Sequence, residues 1–201
     1  MPIYAGHFDF TKPLLADVPS LYTPDECRQI LADVETAEWL PATVNSHTGR
    51  VVDAKLRDST TAIVRDARLA LDLFTRIRGH VPASMTTEDA RGGGRIEVEV
   101  CGIFTPLRVY RYLPGQHFGI HQDQGYDGPD GARSLLTLML YLNEDFEGGE
   151  TEFPEQSRCI VPKTGAALWF QHMLLHAGRA VARGQKYVLR SDVLYRKVSL
   201  A

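Results

Sequence analysis

The feature that most restricts this chain is the crowding of short extended segments in its second half. From Arg95 onward, candidate strands fall at 96–101, 107–113, 117–123, 134–143, 150–153, 158–161, 166–171, 174–178 and 186–196. Turn-forming residues separate them: Pro114-Gly115, the run from Gly125 to Gly131, Gly148-Gly149, Pro162 to Gly165, and Gly184. Glycine and proline supply turn conformations and interrupt regular structure. Many closely spaced short strands predict a jelly-roll or barrel core. The first half reads differently. Thr23-Pro24-Asp25-Glu26 combines a capping hydroxyl, proline at the first helical position and a glutamate three residues after the cap. Cys27, Ile30, Leu31, Val34 and Ala37 follow on one helical face, and Pro41 ends the element. A second helix is predicted from Ser59 to about Arg78, with Ile63, Val64, Ala67, Leu71, Phe74 and Ile77 as its apolar face and Gly79 as its stop. Residues 13–18 read as a short strand, and 42–58 as short strands around a turn from Asn45 to Gly49. Residues 82–95, with the triplet Gly92-Gly93-Gly94, read as a flexible loop without the Lys-Ser/Thr ending of a phosphate-binding loop. The expectation is one α+β domain over 1–201, with helical support in 1–95 and a β-core in 96–201.

Composition narrows the function classes. The net charge is −3, which argues against the basic surface of a nucleic-acid binder. Cys27, Cys101 and Cys159 are odd in number and lack Cys-x-x-Cys spacing, so neither a disulfide framework nor a structural zinc site is expected. The first residues lack the basic and apolar regions of a signal peptide. No apolar run approaches the ~18 residues that suggest a membrane span. A cytoplasmic location is the expectation.

Chemistry concentrates at His121 and Asp123, one residue apart. On a strand, side chains i and i+2 leave the same face, so an imidazole and a carboxylate would converge. Two histidines and one carboxylate on one side of a metal, with open positions opposite, is the ligand set of non-haem Fe(II) oxygenases. A second histidine is available in Leu174-Leu175-His176-Ala177-Gly178, 53 residues after Asp123. His172 competes for the role, but the preceding Ala167-Leu168-Trp169-Phe170 reads as strand, which favours His176 alone. His7, His47 and His80 have no partners at useful spacing. Two other classes are weighed: a non-catalytic metal-binding β-barrel, and a zinc hydrolase, for which the His-Glu-x-x-His helix of common zinc proteases is missing.

From about Val109 to Arg196 the chain resembles the catalytic core of the prolyl-4-hydroxylase-like Fe(II)/2-oxoglutarate dioxygenases. The resemblance is carried by Tyr112, His121-Gln122-Asp123, Leu138-Met139-Leu140-Tyr141-Leu142-Asn143, Glu147 through Pro154, Pro162 through Leu168, His176-Ala177-Gly178 and Gly184-Gln185-Lys186. His176 and Lys186 stand ten residues apart, the family's spacing. The N-terminal half matches loosely, through Arg57-Asp58-Ser59. The resemblance implies a double-stranded β-helix (jelly-roll, cupin-like) with the N-terminal helices packed on one sheet. It implies Fe(II) on His121, Asp123 and His176. It places the distal carboxylate of 2-oxoglutarate on Lys186, with Tyr112 and Thr137 hydrogen-bonding to it, and brings in O2 and ascorbate as a reductant. Along a regular strand Lys186, Val188, Arg190 and Asp192 share a face. Arg190 therefore rivals Lys186, and its planar fork suits a carboxylate well. Arg57, Arg108, Arg111 and Trp169 are candidate substrate contacts, weighed against surface arginines and a core tryptophan. The implied activity is hydroxylation of an unactivated C–H bond, on a protein prolyl residue or else on a free amino acid or natural-product intermediate. Halogenation is disfavoured because Asp123 is present.

Overall fold

A computed structural model describes residues 14–46, 49–88, 94–128 and 130–198. In chain order the elements are β1 (Leu15–Val18), α1 (Pro24–Glu35), β2 (Leu40–Pro41), β3 (Val44–Ser46), β4 (Gly49–Val51), β5 (Thr60–Val64), α2 (Ala67–Ile77), β6 (Ser84–Glu88), β7 (Arg95–Ile103), β8 (Leu107–Tyr112) and β9 (Phe118–His121). They continue with β10 (Ala132–Tyr141), β11 (Glu147–Gly148), β12 (Thr151–Phe153), β13 (Arg158–Ile160), β14 (Ala167–Gln171), β15 (His176–Gly178), β16 (Val181–Arg183) and β17 (Lys186–Lys197). His7 and His47, and Gly92 and Gly93 of the glycine triplet, lie outside the described residues.

Most strands form a large sheet in the order β1-β14-β10-β17-β8-β5-β2, with β7 and β6 branching from β17, and a small one in the order β13-β12-β15-β9; β3-β4 and β11-β16 are separate two-stranded pairs. The spine is β17. It pairs with β10 along one edge; on the other it pairs with β8 through its first half and β7 through its second. Side-chain alternation splits the large sheet into two faces. Leu136, Leu138 and Leu140 of β10, Trp169 of β14, and Leu189, Val193 and Tyr195 of β17 pack with Cys27, Ile30 and Val34 of α1 and Ala70, Leu73 and Ile77 of α2. The intervening residues, among them Tyr141, Leu168, Phe170 and Val188, turn the other way and meet Phe153 of the small sheet. Both helices thus back the large sheet, and the site forms between the sheets, as a double-stranded β-helix requires.

The first helix follows its sequence signals. Thr23 Oγ1 accepts from the Glu26 N–H and Glu26 accepts from the Thr23 N–H, completing the capping box. The second helix begins later than expected. Residues 60–64 are a strand, and Asp66 caps the helix by accepting from the N–H groups of Arg68 and Leu69. Thr60, Thr61, Ile63 and Val64 are β-branched and prefer extended backbone. The apolar face shifts with the boundary: Ala70, Leu73 and Ile77 are buried, while Leu71 is 67% exposed. The first half is therefore more than helical support, since β1, β2, β5 and β6 extend the sheet system. Residues 84–88, read as loop, are a strand paired with β7. Gly165 docks the N-terminal segment: the N–H groups of Leu21 and Tyr22 donate to its carbonyl, and a Cβ there would stand 1.9 Å from Tyr22 O.

Candidate metal centre and its cavity

Strand pairing brings two histidines face to face. His121 ends β9, His176 opens β15, and the antiparallel register sets them directly opposite. Side chains opposite one another on neighbouring strands leave the same face, and the two ring centroids are 4.1 Å apart. His121 Nδ1 lies 2.8 Å from Gly119 O, and His176 Nδ1 lies 2.9 Å from Leu174 O. A ring nitrogen facing a carbonyl carries the proton, which leaves each Nε2 with its lone pair. Asp123 comes from just beyond β9, where its N–H donates to His172 O at 2.9 Å. Its Oδ1 is 3.9 Å from His121 Nε2 and its Oδ2 is 3.7 Å from His176 Nε2. One donor atom from each of the three residues lies within 4.8 Å of the others.

The electrostatics suit a cation. Burial and the facing His176 push the His121 imidazole down to about 3. Burial also lowers His176 and His172. Burial works against the Asp123 charge, but the Arg190 guanidinium, with Nη2 at 2.9 Å from Oδ1, holds the carboxyl well below the usual range. Two neutral imidazoles and one ionised carboxylate need lose no proton before binding a divalent ion.

Thr137 does something other than the sequence reading assigned it. It was expected to bond the cosubstrate, but its Oγ1 lies 2.5 Å from Asp123 Oδ2, as donor, and 2.8 Å from His172 Nδ1. His172 Nε2 in turn lies 3.1 Å from Ser134 Oγ. His172 thus stays out of the three-donor cluster and braces Asp123 through Thr137. Sequence reasoning missed this chain of contacts. The available signal was the alternation of β10, which puts Thr137 on the face of Met139 and Tyr141, opposite Leu136, Leu138 and Leu140.

A cavity of about 400 Å³ opens from the cluster, lined by residues of both sheets. Lys186 lies in its wall, 3% exposed, with Nζ donating to Gly149 O at 2.6 Å. Burial pushes its ammonium down to about 8. Among the described residues it makes no ion pair with a carboxylate. Gly149 is held at φ +70°, where glycine is favoured, and a Cβ there would stand 3.1 Å from Lys186 Cδ. Tyr112 is the cross-strand neighbour of Lys186 and lines the same wall. Arg190 also lines the cavity but is already partnered, by Asp123 at 2.9 Å and by Asp192 at 3.4 Å.

Of the substrate candidates, Arg57 reaches the cavity. It is 7% exposed, its guanidinium lies over the rings of Tyr110 and Phe118, and its Nη2 donates to Tyr112 Oη at 3.4 Å. Arg111 does not. Its parity on β8 is opposite to that of Arg108, Tyr110 and Tyr112, and it stacks over Trp39 and donates to Thr60 Oγ1. Trp169 packs in the helix-side core, on the face of β14 opposite Phe170. Arg108, on the correct parity, lines the cavity.

With this geometry in view, comparison with known proteins is specific. Residues 107–191 match the 2OG-Fe(II) oxygenase superfamily model. A prolyl 4-hydroxylase-like protein of Acanthamoeba polyphaga mimivirus is 34% identical over 111 residues, covering 46% of this chain and 46% of that protein. Probable prolyl 4-hydroxylase 3 of Arabidopsis thaliana is 26% identical over 198 residues, covering 81% of this chain and 63% of that protein. The chain therefore spans about half to two thirds of these relatives. In fold, a Trichoplax adhaerens prolyl hydroxylase solved in complex with a hypoxia inducible factor peptide fragment superposes with a TM-score of 0.62 at 16% identity, covering 91% of this chain and 84% of that one. The stretch matched by the superfamily model holds His121, Asp123, His176 and Lys186, and the chain is similar to prolyl 4-hydroxylases in sequence over part of its length and to a prolyl hydroxylase in fold.

Proposed function

We propose that this protein is an Fe(II)/2-oxoglutarate-dependent dioxygenase that hydroxylates an unactivated C–H bond. The observation that carries the reading is the joining of two features in one cavity. One is the cluster of His121 Nε2, the Asp123 carboxylate and His176 Nε2 within 4.8 Å. The other is Lys186, a buried ammonium without a carboxylate partner among the described residues. A buried charge left unpaired is costly, and a dicarboxylate that reaches both the metal and Lys186 compensates it.

Iron, 2-oxoglutarate and O2 together supply decarboxylation to succinate and CO2 with transfer of one oxygen atom to the substrate. The chain supplies position. His121 and His176 present their Nε2 lone pairs because Gly119 O and Leu174 O hold the opposite nitrogens. Thr137 and Arg190 each engage one oxygen of Asp123, and a carboxylate with two oxygens keeps lone pairs for a metal. Lys186 holds the far carboxylate of the cosubstrate beside Tyr112. The walls of the two sheets keep the donor side chains of His121, Asp123 and His176 largely out of bulk water. Ascorbate serves as an external reductant in this reading, and the first substrates to test are prolyl compounds, the class for which the curated relatives are named.

The test is aerobic incubation with Fe(II), 2-oxoglutarate and prolyl peptides and amino acids, followed for succinate and for a product heavier by one oxygen. We expect both, and loss of both in His121→Ala, Asp123→Ala and His176→Ala. Succinate that persists in all three variants would overturn the reading.

A further inference from the structure

The charges lining the cavity do not cancel. Among the described residues, four cations face it, Arg57, Arg108, Lys186 and Arg190, against two carboxylates, Asp123 and Asp192. Resting on the oxygenase reading, a divalent metal and a dianionic cosubstrate offset one another and leave the surplus of positive charge in place. Part of that surplus has a definite address. Arg108 and Arg190 are directly opposite on β8 and β17 and share the inward face. Like charges directly opposite across a ladder destabilise the sheet. Arg190 is compensated by Asp123 and Asp192. Arg108 is partly buried, with its guanidinium 5.5 Å from the Phe104 ring centroid, and it has no carboxylate partner among the described residues. Lys186 and Arg190 are four residues apart, which is about 13 Å along a strand. The Arg108 end is thus separate from the position that serves the cosubstrate's far carboxylate.

We infer that the substrate carries a carboxylate close to the carbon that is oxidised, and that Arg108 is the residue that receives it. A guanidinium presents a planar fork that matches a carboxylate in two parallel hydrogen bonds. The same chemistry is offered by a free amino acid, by a prolyl residue at a peptide C-terminus, and by an acidic residue beside an internal proline.

Three matched pairs separate those sources: L-proline and L-prolinamide, a peptide ending in proline and its C-terminal amide, and an internal prolyl peptide flanked by Glu or by Gln. Binding to the protein loaded with Mn(II) and 2-oxoglutarate, which does not turn over, is measured by calorimetry. In at least one pair the acid should bind ten-fold or more tightly than its neutral partner, and that pair names the source. Arg108→Gln should lose at least ten-fold on that acid and less than two-fold on the neutral partner, with Arg108→Lys between. The absorption of the anaerobic Fe(II)–2-oxoglutarate chelate should be unchanged in both variants. Equal binding of acid and neutral partner in every pair, or no binding by any member, overturns the inference on the unaltered protein alone. Equal losses on both members in Arg108→Gln also overturn it. Failure of the unaltered protein to form the chelate or any succinate would instead overturn the oxygenase reading on which it rests.

Discussion

At the scale of single residues, two side chains set the terms of ligand binding. Thr137 decides how Asp123 is held. Residues that orient a metal ligand from behind are worth about 10- to 100-fold in metal affinity. Thr137→Val, which keeps the shape and loses the hydroxyl, should weaken metal binding by about that factor, and Thr137→Ser should restore it. Titration with Co(II), read by its visible absorption, measures both; undiminished affinity in the valine variant would make Thr137 a packing residue. Lys186 decides how the cosubstrate is held. Losing a charge-assisted bond of roughly 1.5–3 kcal/mol should weaken 2-oxoglutarate about 10- to 150-fold in Lys186→Ala. Arg190→Gln should cost far less, since Arg190 is occupied with Asp123 and Asp192. The lowered pKa adds a pH signature. Burial leaves the ammonium titrating near 8 in the free protein, and a bound dianion favours its charged form. Cosubstrate affinity should be flat below pH 8, then fall about ten-fold per unit above it until the bound form also titrates. Anaerobic titration of the chelate absorption gives this profile. The same falling limb in Lys186→Met would show that another group causes it.

At the scale of elements, much was legible and the failures have physical causes. The capping box of α1 was readable because its signals are local and reinforce one another. The start of α2 was misread because Ile63 and Val64 continue a helical spacing, although they belong to β5, which pairs with β8. Local periodicity cannot report a distant strand that completes a ladder. The histidine pair was legible because His121 and His176 sit in strand-like stretches; their direct opposition is a matter of register, which no single stretch encodes. Arg111 and Trp169 show the complementary limit. Arg111 stands between the cavity residues Tyr110 and Tyr112, and Trp169 beside Phe170 of the inter-sheet core, but alternation sends each to the other face, and the inward face is known only once neighbouring strands are paired. Leu73 of α2 is fully buried against the back of the large sheet. Leu73→Ala should cost about 2–5 kcal/mol of stability and leave metal and cosubstrate affinities of the folded fraction unchanged, as urea unfolding and chelate titration would test. A large loss of 2-oxoglutarate affinity without loss of stability would mean that the helix layer tunes the site directly.

At the scale of the whole molecule, the candidate site ties the two sheets together. His121 and His176 come from the small sheet, and Thr137 and Arg190, which grip Asp123, come from the large one. A metal bound by these residues stabilises the paired arrangement of sheets and has no equivalent in the unfolded chain. Ligand binding to the native state alone stabilises by about 2.7 kcal/mol when the free ligand is at 100 times its Kd. For a chain of this length, 1 kcal/mol corresponds to about 2–4 °C in Tm, so saturating metal should raise the midpoint by about 5–11 °C. Mn(II) under anaerobic conditions serves as the probe, with chelator-treated protein as reference. The His176→Ala variant provides the control. It removes one donor while leaving Asp123 engaged by Thr137 and Arg190, so the fold should persist with most of the metal-dependent shift gone. Adding 2-oxoglutarate should raise the midpoint further only when metal is present, because its two attachment points lie on different sheets. A full metal-dependent shift in His176→Ala would place the bound ion elsewhere on the molecule and separate the stability of the two-sheet arrangement from the three-donor cluster.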